Sequence, residues 1–167
     1  MPGLDDFLKT IKPEVNDGFE VLEGVYQTVV NGEETGYVTK TAKNGDVYSQ
    51  FQIRVDITDV LDGSGQAGRR VWMRYREDED GIKKLINDLF TAGILDKVDK
   101  SSVAGLKGSL GQIAGSTMYI RCWKWIPEKD MQGNAIPEER REARQQMAVK
   151  SAKALKKLIE KAGNSPF

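Results

Sequence analysis

The chain contains no histidine and a single cysteine, Cys122, among its 167 residues. Without histidine, the side chain that ordinarily titrates near neutral pH is missing, and with it the usual general base and the commonest metal ligand. One cysteine leaves no basis for a zinc site of Cys/His composition. It also rules out an internal disulfide, which fits a reducing compartment. No apolar run approaches the roughly 18 residues of a membrane-spanning helix. The opening residues, MPGLDDFLKT, lack the basic start and apolar run of a secretory signal. A cytoplasmic protein with no cofactor is expected. An excess of charge of either sign is lacking too, since 25 basic and 25 acidic side chains balance. Any affinity for nucleic acid must therefore come from where the charges sit, not from their sum.

The remaining composition suits a globular domain: 39% of residues are apolar and 30% charged, enough for one core with a solvated surface. Residues 1–17 place Leu4, Phe7, Leu8 and Ile11 at helical spacing before Pro13, which predicts a short N-terminal arm docked on the domain. Residues 18–126 read as the domain itself. Gly24–Val30 predicts a first strand. A polar loop with Gly32, Gly36, Asn44 and Gly45 follows, with room for a short strand at Tyr37–Thr39. Val47–Ile57 is the clearest strand. It sends Val47, Phe51, Ile53, Val55 and Ile57 to one face, and Tyr48, Gln50, Gln52, Arg54 and Asp56 to the other. After the turn signal Asp62-Gly63-Ser64-Gly65, the run RRVWMRYR (69–76) returns as a third strand. Glu77–Gly93 predicts a helix, with acidic residues at its start and an apolar stripe of Ile82, Leu85, Ile86, Leu89 and Phe90. Residues 94–116, with four glycines, read as a flexible connector, and Thr117–Trp125 as a further strand. Residues 127–167 read as a turn and a long basic helix, starting at Pro137 and running to about Ala162. Strands, a helix and further strands in this order predict a mainly β domain: a five-stranded Greek-key barrel of the OB type, with a helix between strands three and four.

One feature of the strands points to chemistry. In RRVWMRYR, Val71, Met73 and Tyr75 share one face, and Arg70, Trp72, Arg74 and Arg76 the other. The late strand sends Met118, Ile120 and Cys122 inward and leaves Tyr119, Arg121, Trp123 and Trp125 outside. Tyr48 and Arg54 of the second strand join the same exterior. Guanidinium groups hold phosphates and stack on bases, and aromatic rings stack any base for about 1–3 kcal/mol each. Duplex DNA hides its base faces, so this mixture suits a single strand. The ordinary alternative is cation–π pairing among these side chains themselves, or cover from an appended helix. The Gly105–Gly115 stretch lacks the Gly-Lys-Ser/Thr ending of a P-loop. Cys122 reads as a small core residue.

Several of these features, taken in order, resemble the phage-encoded single-stranded DNA-binding proteins of the OB-fold class. They are Leu22-Glu23-Gly24-Val25-Tyr26 leading into the first strand, the alternating strand Tyr48–Ile57, the strand start Gly68-Arg69-Arg70-Val71-Trp72, the helix ending Leu89-Phe90-Thr91-Ala92-Gly93, and Gly115 leading into Met118–Trp125. The resemblance covers about residues 18–126. It implies binding and protection of single strands during phage replication or recombination, without catalysis, by stacking rings and basic groups on the barrel surface. That role falls on Tyr48, Arg54, Arg70, Trp72, Arg74, Arg76, Tyr119, Arg121, Trp123 and Trp125. Replication or recombination proteins are the implied partners. Such proteins often end in an acidic tail closing with Pro-Phe; here Pro166-Phe167 follows a basic segment instead. That segment offers extra phosphate contacts or a surface for oligomerisation. Two other classes stay open: a protein-interaction or virion-assembly module using the same Trp/Arg face, and a small-molecule or nucleotide enzyme, for which no nucleophile–base pair is in view.

Overall fold

The structure is a computed structural model and describes residues 21–163. The expected N-terminal arm, 1–17, and the Pro166-Phe167 ending lie outside the described residues. Five strands form one antiparallel sheet: β1 (Gly24–Thr41), β2 (Val47–Gly63), β3 (Arg70–Arg76), β4 (Thr117–Trp125) and β5 (Arg144–Lys150). Their spatial order is β3-β2-β1-β4-β5. Strands β1, β2 and β3 are successive hairpin neighbours, and β4 returns by a long connection to lie beside β1. That is the Greek-key arrangement. The sheet is open: among the described residues β3 and β5 are edges that do not pair with each other.

β1 and β2 are longer than their sequence patterns suggest, because they pair along almost their full length. The expected strand Gly24–Val30 and the short strand at 37–39 are one continuous element. The turn between β1 and β2 is closed by Ala42 N–H to Asp46 O at 2.8 Å, with Gly45 at φ +90°. Only the first part of β1, Gly24–Val29, also pairs with β4; the far ends of β1 and β2 continue as a two-stranded ribbon. Three register shifts interrupt the β1–β2 ladder, and such bulges bend and twist a sheet. At the base, Gly24 and Gly63 lie opposite each other. A Cβ on Gly63 would fall 2.0 Å from the Glu23 carbonyl oxygen, and φ there is +109°, so only glycine fits this close approach.

The inward face carries Tyr26, Phe51, Ile53, Val55, Ile57, Met118 and Ile120, all buried. Val47, expected on this face, is exposed because it lies in the ribbon beyond the core. Helix α1 (Glu79–Thr91) fills the interval after β3. Asp78 caps it by accepting the Gly81 N–H at 2.7 Å. It ends in the paired bonds Gly93 N–H to Phe90 O and Ile94 N–H to Leu89 O, with Gly93 at φ +76°. Leu85 and Leu89 are buried, whereas Phe90, expected in the apolar stripe, is 72% exposed.

Two stretches differ from the sequence reading. Residues 94–116 are not a flexible connector: helix α2 (Val103–Ser109) and the 3₁₀ turn Leu110–Ile113 bury Leu106, Leu110 and Ile113. Their spacing of four and three was a helical signal that the glycines hid. The expected helix from 137 to 162 is instead a 3₁₀ turn at Glu138–Arg140, strand β5 and helix α3 (Ala152–Gly163). Pairing to the free edge of β4 outweighs the helical preference of this basic run. Ser151 starts α3, its hydroxyl accepting the Ala154 N–H at 3.1 Å.

Candidate nucleic-acid interface

On β3 the outer row is arranged as the alternation requires. Arg70, Arg74 and Arg76 are exposed, Trp72 is half-buried, and Val71, Met73 and Tyr75 are inside. Arg76 Nε lies 3.4 Å from Asp78, an exposed pair that fixes the side chain only weakly. Tyr48, 44% exposed, sits on β2 just past the Gln50–Arg76 pair and extends this row.

β2 does not present the expected open surface. Gln50, Gln52 and Arg54 are buried, with Arg54 only 5% exposed. β2 lies between β1 and β3, and β1 carries the extra residues Gly32–Thr35 between the pairs Asn31–Arg54 and Gly36–Gln52. This bulge brings Glu34 over β2. Its carboxylate is 3.4 Å from Arg54 Nη1 and accepts the Trp72 indole N–H at 2.5 Å. Its carbonyl accepts from Gln52 Nε2 at 2.8 Å. Asp56 holds Arg54 Nε at 3.2 Å, and Glu33 approaches Nη1 at 3.9 Å. Arg54 is thus a buried guanidinium ringed by three carboxylates, not an exposed phosphate ligand. Glu33 and Glu34 are absent from the expected site because a bulge inside one strand reads locally as a loop between two; Gly32 and Gly36 on either side are the available signal.

The β4 row is open. Met118, Ile120 and Cys122 are buried, as the alternation predicts, and burial pushes the Cys122 thiol up to about 12, which leaves no thiolate near neutral pH. Outside, Trp123 and Trp125 are 38% and 50% exposed, Arg121 is exposed, and Tyr119 is half-buried. The Arg121 guanidinium lies 5.8 Å from the Trp123 ring centre. Register places Lys150 opposite Tyr119, Gln146 opposite Trp123 and Arg144 opposite Trp125. Arg144 and Lys150 are basic additions that the sequence reading assigned to a helix; the alternation Gln145-Met147-Val149 was the signal for a strand. β3 and β4 are separated by β2 and β1, about 14 Å measured along the sheet. The candidate residues therefore form two rows and not one patch.

The unpaired β3 and β5 edges border a cavity of about 240 Å³, into which Tyr75, Lys84 and Asp88 also face. The Tyr75 hydroxyl donates to Asp88 at 2.6 Å. Burial raises the Asp88 carboxyl above its ordinary range, outweighing the Tyr75 hydrogen bond and the Lys84 charge. Burial and then the Asp88 charge raise the Tyr75 hydroxyl. A raised carboxyl binds its proton more tightly in the folded state. Its favourable contribution is full below the unfolded value, 3.8, and is lost as pH rises through the folded one. At neutral pH the fold therefore carries a carboxylate that burial disfavours. Asp88→Asn, which can still accept from Tyr75, is expected to stabilise the protein at pH 7 by up to about 1 kcal/mol, given partial solvent screening. The gain should vanish near pH 3; denaturant unfolding at the two pH values checks this.

Among the described residues no three His, Cys, Asp or Glu side chains cluster as metal ligands, and no helix is long and apolar enough to cross a membrane. No protein-family model matches the chain, and no curated protein matches its sequence.

Proposed function

We propose that the protein binds single-stranded DNA with little sequence preference, through the Arg/aromatic rows of the sheet's outer face, and protects it during phage DNA replication or recombination. The observation that carries this reading is the β4 row: Arg121, Trp123 and Trp125 exposed on one strand, with Arg144 and Lys150 at paired positions on β5. Flat rings beside guanidinium and ammonium groups match a chain of bases and phosphates. They carry no fixed pattern of donors and acceptors that would select a sequence. The fold reading that accompanies it is a five-stranded OB-type barrel. It is supported by the order β3-β2-β1-β4-β5, the helix between β3 and β4, and the cavity that β3 and β5 share. The proposed setting is the host cytoplasm, with replication or recombination proteins as partners and no catalysis.

A protein-interaction or virion-assembly role has one observation in its favour. Trp125 continues into exposed Ile126, and Met131 is fully exposed in the following turn. Titrating the protein with oligo-dT at low and high salt, read by tryptophan fluorescence, separates the two. Saturable quenching that weakens about tenfold or more over a fourfold rise in salt is expected if three or more phosphates are held. Absence of binding at low salt refutes the single-strand reading and favours the protein interface.

A further inference from the structure

The β1 bulge places an anion of the protein's own on the central part of the proposed binding face. Four residues, Gly32–Thr35, stand against Ile53 alone. They are held there largely by side-chain bonds: Glu34 to Arg54 and Trp72, and Thr35 Oγ1, which accepts the Arg54 backbone N–H at 3.0 Å. A carboxylate that pairs with a guanidinium and accepts an indole N–H makes the contacts a phosphate oxygen would make there. The cover is imperfect, because Gln52 Oε1 is buried beneath it without a hydrogen-bond partner. Glycines flank the segment, and Gly36, at φ +147°, sits where the ladder resumes.

We propose that Gly32–Gly36 is an acidic latch. In the free protein Glu34 occupies the Arg54–Trp72 site as a surrogate for phosphate, and a single strand must displace it to engage the β3 row. The inference rests on the single-strand reading above and adds its regulation. With the latch closed, Glu33 and Glu34 join Asp56 around one guanidinium and repel phosphate; opening removes the first two and leaves Asp56 at Arg54 Nε. With it open, Arg54 and Trp72 join Arg70 and Arg74 in a continuous row. The β4 row carries no such cover among the described residues, so a strand engages it first and the β3 row second.

Glu34→Gln tests the latch, since it removes the charge while keeping the shape and an acceptor for the Trp72 N–H. A latch closed about nine-tenths of the time lowers apparent affinity about tenfold, so Glu34→Gln is expected to bind oligo-dT about three- to tenfold more tightly than wild type at the same salt. Glu33→Gln, whose exposed carboxylate reaches Arg54 only at 3.9 Å, should tighten binding less than Glu34→Gln does. Equal gains from both variants, or no gain from Glu34→Gln while wild type binds, overturn the latch and leave the single-strand reading standing. Failure of both wild type and variant to bind overturns the single-strand reading itself. A second readout needs no latch variant. In wild type saturated with oligo-dT, the Trp72 indole N–H resonance, assigned by its loss in Trp72→Phe, must move as the carboxylate bond is broken. An unmoved resonance overturns the latch.

Discussion

Replacing Trp123 and Trp125 together by alanine is expected to lower affinity for oligo-dT by at least about 2 kcal/mol, roughly thirtyfold, because each ring that stacks a base contributes about 1–3 kcal/mol. Both rings stand on the open β4 row, with Arg121 near Trp123 and Arg144 opposite Trp125. Their removal deletes stacking surface without opening the core. The unfolding midpoint should accordingly stay close to that of wild type. Anisotropy of a labelled oligonucleotide is the suitable readout, since Trp72 is then the remaining tryptophan and reports on the other row. Full affinity in the double variant would remove β4 from the interface and leave its tryptophans to a protein partner. Loss of affinity with an unchanged midpoint would assign the stacking to β4.

The largest effect on stability is expected at Phe51. It is fully buried, and register sets it between Tyr37 of β1 and Tyr75 of β3. The Phe51 and Tyr37 rings meet at 5.3 Å, and Lys107 lies 4.2 Å above Tyr37 while paired to Glu77 at 2.7 Å. One side chain thus joins three strands and, through Tyr37, the α2 region. Phe51→Ala should cost about 3–5 kcal/mol, a large part of the roughly 5–15 kcal/mol typical of a domain. Phe51→Leu should cost far less, because most of the volume is kept. Urea unfolding of the two variants checks this. A loss near 1 kcal/mol for alanine, well under the usual range for such a truncation, would mean that the sheet collapses around the gap and that the three-strand junction is not rigid.

The elements that were legible in the sequence share one property: a strong alternation or periodicity with local stop signals. β3 and β4 match their expected spans to within a residue, because Val71-Met73-Tyr75 and Met118-Ile120-Cys122 alternate without interruption. The helix from Glu79 to Thr91 lies within the expected span Glu77–Gly93, which the acidic residues at its start, the apolar stripe and Gly93 at its end marked in the sequence. β5 was missed for the opposite reason. Its alternation is built from Gln145, Met147 and Val149, weak signals set within a basic run that suits a helix equally well. What decides is the edge of β4, which offers unpaired backbone groups to whatever segment can reach it.

The sequence alone determined which side chains could face outward on each strand, and hence that arginines and aromatic rings are gathered there, because side-chain direction in a strand follows a period of two. It did not determine whether an outward position is open. Arg54 on β2 and Arg121 on β4 alternate with apolar neighbours in the same way, yet Arg54 is buried beneath Glu34 while Arg121 is exposed. That difference arises where the extra residues of β1 meet a central strand, a long-range packing event with no local signature in β2. The tertiary structure alone separates the two rows and places a carboxylate on one of them.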